Sequence, residues 1–139
     1  MADPFTTLQR LRRLAVDQAR RDLADCLRRE AEASETVREL AAEVDRETDV
    51  VCRSLGEDTV VENFAAWLRR TRVDQDAAAK SLLEAELQTQ EARAVLTASR
   101  TAVETVDAII DRRAAEQAAA AGRVEQMAID EAGRRSREI

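Results

Sequence analysis

Histidine and tyrosine are absent from the chain, and residues that break or crowd a helix are scarce: one Pro, three Gly, two Phe and one Trp. Without histidine there is no ready acid–base group at physiological pH, and the commonest metal ligand is missing. With so few aromatics the chain lacks the bulky side chains that usually fill a compact core. Its 139 residues would otherwise be enough to build one. No Val/Ile/Thr alternation of strand type is found, which excludes a β architecture.

Disulfide chemistry is also excluded within the chain. Cys26 and Cys52 lie 26 residues apart, which on one helix separates them by roughly 39 Å. No bridge or shared zinc site spans that distance. Two free thiols fit a reducing, cytosolic compartment, and Cys26 reads as a small apolar residue on a buried stripe. No run of about 18 apolar residues exists for a membrane span, and no signal-peptide core is expected at the N-terminus. A net charge of −6 opposes nucleic acid as a partner. Gly-rich phosphate loops, nucleophile elbows and metal-ligand spacings are all missing. The expectation is a non-enzyme with no cofactor and no metal.

What the chain does have is Ala, Glu, Arg and Leu, with charged residues at 36%. That mixture reads as long helix or coiled coil. Asp3 before Pro4 is an N-cap followed by a first-turn proline. Gly56 suits the left-handed residue past a helix end. Thr59 and Glu62 have the spacing of a capping box. A stop and a start this close make a helical hairpin. The spacing therefore predicts helix 1 over about 4–55, a turn at 56–58 and helix 2 over about 59–136, in a single unit of 1–139.

An apolar seam at alternating three- and four-residue steps supports this pairing. In helix 1 it runs Val16, Ala19, Leu23, Cys26, Glu30 and on to Val51. In helix 2 it runs from Val61 and Phe64 to Val106 and Ile110. With the turn near 57–58, residue i faces roughly residue 115 − i, so Phe5 lies near Ile110. Helix 2 then outruns helix 1 by some 25 residues, about 35–40 Å. This overhang, from Ala115, carries Val124, Met127 and Ala128 on one stripe and is weakened by Gly122 and Gly133. A lone helix of this kind is marginal in water. The expected class is all-α: an antiparallel coiled-coil hairpin with a longer, overhanging C-terminal helix.

Charge is uneven along the hairpin. Residues 8–29 carry seven Arg against three Asp, and residues 30–49 carry eight acids against two Arg. Arg69, Arg70 and Arg72 would oppose that acidic stretch. Two readings stand: charges that set the register between the helices, or a docking surface, chiefly the basic N-terminal stretch.

Three segments carry a family resemblance. The tail Arg123-Val124-Glu125-Gln126-Met127-Ala128-Ile129-Asp130-Glu131-Ala132-Gly133-Arg134-Arg135 is similar to the C-terminal pattern of the FliJ family of flagellar type III export proteins. Val60-Val61-Glu62-Asn63-Phe64-Ala65-Ala66-Trp67-Leu68 resembles the aromatic-bearing start of that family's second helix. Phe5-Thr6-Thr7-Leu8-Gln9-Arg10-Leu11 resembles its start. The resemblance spans essentially the whole chain. Gly133 and the tail alanines depart from it, which predicts a frayed final turn.

The resemblance implies a stalk-like coiled coil that binds and stimulates the hexameric export ATPase FliI. It also implies contact with the export-gate protein FlhA and with export chaperones. Arg10, Arg12, Arg13, Val124, Gln126, Met127, Asp130 and Glu131 would then face the ATPase. Phe64, Trp67 and Leu68 would face the gate. The implied state alone is a monomer, cytoplasmic and peripheral at the inner membrane through the export apparatus. Bland alternatives remain for each group. Phe64 fits the seam as a core residue, Val124 and Met127 could form a self-association stripe, and Asp130 and Glu131 could be merely solvated. The whole chain could instead be the equivalent YscO-like injectisome protein, or a structural spacer or dimerisation module with no ATPase partner.

Overall fold

The computed structural model describes residues 3–54 and 56–139. Two long helices joined by a short turn make an antiparallel coiled-coil hairpin: α1 is Pro4–Arg53, with 50 residues, and α2 is Asp58–Arg137, with 80. No described helix is long and apolar enough to cross a membrane. The chain divides into two units, residues 17–97, and residues 1–16 with 98–139.

Residues 17–97 contain the turn. Its seam follows the predicted spacing: from Ala19 to Val44, and from Phe64 to Leu96, every seam position is buried or half-buried. Ala19, Ala78, Ala85 and Leu96 are buried, and so are the polar Thr71 and Thr89. Small side chains dominate, and each removes little apolar area from water, at about 0.8 kcal/mol per buried CH₂. Thr89 is 1% exposed, and its Oγ1 donates to Ala85 O at 3.0 Å. The hydroxyl is thus satisfied within its own helix.

The helix ends at the turn differ from expectation. Ser54 lies in the turn, where its N–H donates to Val51 O at 3.0 Å, a tightening typical of a final turn. The predicted last helical residue, Leu55, lies outside the described residues. Gly56 takes a φ of 132°, the freedom for which glycine suits this position. α2 then starts at Asp58, one residue early. Val60 and Val61 N–H both donate to Glu57 O, at 3.1 and 3.4 Å. Thr59 is therefore inside the first turn and does not cap it. The Asp58 carboxylate sits where the positive end of the helix favours an anion.

The seam departs from its predicted course only beside the turn. Glu47 and Val61, both assigned to it, are exposed, and Val60 is half-buried in place of Val61. The charge reading of this region also changes. Here the described ion pairs Arg20–Asp17, Arg28–Asp25 and Arg38–Glu35 all join residues three apart in α1. Among the described residues Arg69, Arg70 and Arg72 make no ion pair, so they do not set the register through salt bridges.

Residues 1–16 with 98–139 form the second unit. The start of α1 is capped as predicted, with Asp3 Oδ1 accepting from Phe5 N–H at 3.2 Å. Such a cap is worth about 0.5–2 kcal/mol. Polar groups then bridge α1 and α2. Gln9 Nε2 donates to Asp107 Oδ1 at 2.5 Å, Arg13 lies 4.0 Å from the same carboxylate, and Arg113 lies 3.9 Å from Asp3. Phe5 packs under the Arg113 guanidinium, 4.5 Å from its ring centre, one turn along α2 from Ile110. Gln9 with Asp107 and Asp3 with Arg113 lie within about a residue of the simple facing rule, while the long Arg13 side chain reaches further along the axis to Asp107. Val16 and Val106 are the buried apolar residues here. From Asp111 onward α2 is exposed throughout. It is helical through Gly133 to Arg137.

Candidate interaction surfaces

Three surfaces hold the sequence-predicted site residues. The first is the start of α1. Arg10, Arg12 and Arg13 are all exposed, and Arg13 leans on Asp107. Between them lie Leu11 and Leu14, exposed at 57% and 56%. The sequence reading counted the arginines and passed over these leucines, although their three-residue spacing already put them on one face of the helix.

The second surface is the exposed end of α2. Val124 and Met127 are 67% and 71% exposed, three residues apart and so on one face. The polar members of the stretch are tied along the helix. Gln126 Nε2 donates to Asp130 Oδ1 at 3.0 Å, and Arg135 donates to Glu131 Oε1 at 2.7 Å. These pairs hold the side chains against their own helix at a gain of a few tenths of a kcal/mol each. The first and second surfaces do not meet. Arg13 faces Asp107, and Met127 lies 20 residues further along α2, roughly 30 Å at the helical rise.

The third surface lies beside the turn, within residues 17–97. Phe64 and Trp67 stack with ring centres 5.8 Å apart and planes 28° from parallel, an offset arrangement worth about 0.5–1.5 kcal/mol beyond its buried area. Both are half-buried, as is Leu68. Phe64 and Trp67 line an open groove of about 300 Å³ with Glu47, Val50, Val51, Val60 and Asn63. Val50 remains 55% exposed. The groove lies where Val60 and Trp67 of α2 meet Val50 and Val51 of α1, with Val61 exposed outside it. Trp67 is thus partly exposed at the edge of the groove.

The family model for the flagellar FliJ protein matches residues 1–137. The chain belongs to the FliJ family. No curated protein and no solved structure matches it. FliJ membership supports a component of the flagellar type III protein export apparatus. It also accounts for the long unpartnered reach of α2 in a chain with so little core, since an export component meets other proteins. For a FliJ chain the three surfaces differ in kind. The start of α1 is basic with apolar inserts, the end of α2 is an exposed apolar stripe rimmed by charge, and the turn offers an aromatic-lined groove. The Arg113 clamp on Asp3 and Phe5 was missed by the sequence reading. Its only trace there was that the facing rule brought Phe5 into the neighbourhood of residue 110.

Proposed function

We propose that this chain acts as the stalk-like, non-enzymatic subunit that binds the hexameric export ATPase FliI and raises its activity. The tail of α2, with Val124, Gln126, Met127, Asp130 and Glu131, forms the ATPase-binding surface, joined by Arg10, Arg12 and Arg13 of α1. The groove with Phe64, Trp67 and Leu68 receives the export gate FlhA. On this reading the chain works at the cytoplasmic face of the inner membrane and is held there through the gate.

The observation that carries the proposal is the exposure of α2 from Asp111 onward, with Val124 and Met127 unshielded. A single helix of this length gains little by standing alone in water, so its stability is completed by a partner. The half-buried Phe64–Trp67 pair supports the gate assignment, because a rigid aromatic at a groove is the usual anchor of a protein interface.

The test is the ATPase rate of the cognate export ATPase with the intact chain and with a chain ending at Ala121. Stimulation by the intact chain that disappears on truncation is the expected outcome. An active ATPase that ignores the intact chain would defeat the reading and leave the hairpin as a structural spacer.

A further inference from the structure

The seam does not lose its phase where α1 runs out. Val106 is buried and Ile110 half-buried on α2. Carried forward in the same three- and four-residue steps, the seam falls on Arg113, Gln117, Ala120, Val124, Met127, Glu131 and Arg134. Val124 and Met127 are therefore the uncovered continuation of an interface that is occupied upstream. What fits such a continuation is another helix packed as α1 is packed, that is, antiparallel.

We propose that this stretch of α2 pairs antiparallel with the same stretch of a second copy of the chain. A two-fold contact presents one patch to itself, so the patch must be self-complementary, and this one is. With Val124 of one copy opposite Met127 of the other, the apolar contact is made twice about the axis. In an antiparallel pair the positions just before the seam residues face each other across it. Those positions bring Arg123 against Asp130 of the second copy, and Glu116 against Arg137. Every one of these contacts joins opposite charges and is repeated by symmetry. Among the described residues Arg123, Glu116 and Arg137 make no ion pair, and Asp130 accepts only from Gln126. Ala120, Ala121 and Ala128 flank the centre and allow close approach. Gly122 and Gly133 fall at outer positions of the same heptads, off the seam.

The apolar contact is small and the charges are at its rim, so the pair is weak and salt-sensitive. The single copy implied by the family resemblance is its dilute limit. The pairing needs no export ATPase, and its test is independent of the stimulation assay.

The test is sedimentation equilibrium of the full chain, loaded up to about 0.5 mM, where a Kd in the high micromolar range is still visible. Helix content by circular dichroism confirms that each variant folds. The intact chain is expected to dimerise. Arg123→Asp turns two attractions into two repulsions and weakens the dimer by about tenfold. Asp130→Arg does the same. The double variant, which exchanges the charges, returns to within about threefold of the original chain. Val124→Asp abolishes the dimer. A chain that stays monomeric at the highest loading overturns the proposal and leaves the stripe to a partner of another kind. A dimer that ignores Arg123→Asp, or is not restored by the charge exchange, overturns it as well.

Discussion

Residues 17–97 and the unit formed by residues 1–16 with 98–139 hold α1 to α2 by different means. In the first, contact rests on a seam of small apolar and hydroxyl-bearing residues, and the described ion pairs stay within α1. In the second, polar side chains cross between the helices, with Asp107 and Arg113 as the centres. Volume matching is tolerant of substitution but gives little direction. Charged and hydrogen-bonded contacts give direction but little net stability when exposed. Both regions bury apolar seam residues, Val16 and Val106 in the second, but only the second adds polar contacts between the helices among the described residues.

The comparison can be broken most sharply in the seam. Leu96 is 7% exposed, and Leu96→Ala is expected to cost about 2 kcal/mol, at the low end for a core leucine because the seam is narrow. A thermal melt followed by circular dichroism measures it. A loss too small to shift the midpoint would mean that the seam is not what holds residues 17–97.

A smaller effect is expected from Arg113→Ala. It removes the cation over Phe5 and the ion pair to Asp3, which together contribute about 0.5–1 kcal/mol at an exposed site. Hydrogen exchange should quicken in the first turns of α1 and stay unchanged within residues 17–97. Equal acceleration in both regions would erase the distinction between them.

The smallest effect is the most discriminating. Replacing Arg69, Arg70 and Arg72 together by Gln should change stability by less than about 0.5 kcal/mol, since none is ion-paired. A larger loss would show that charge does set the register beside the turn.

Much of the fold was legible because the seam is a periodic property. Every seam residue from Val16 to Val44 and from Phe64 to Ile110 is at least half-buried. Periodicity fails beside the turn, where Val60 is half-buried in place of Val61 and Glu47 is exposed. The Thr59–Glu62 spacing was present but idle, because Asp58 and the flexible Gly56 allowed an earlier start. Cross-helix clamps such as Arg113 on Phe5 were illegible, since long side chains reach past the residue directly opposite. The candidate surfaces were legible to different depths. The exposure of Val124 and Met127 follows from helix lengths alone, whereas roles for Gln126, Asp130 and Glu131 came only through the tail's resemblance to FliJ proteins.

Thr89 carries a consequence of its own. Its buried hydroxyl is committed to the carbonyl one turn back in the same helix, so it offers nothing for α1 to recognise. Where Ala19, Ala78 and Ala85 share the seam with it, neighbouring alignments of the two helices differ by few atoms of contact. The buried hydroxyl therefore has no cross-helix bond to lose when α1 and α2 separate there.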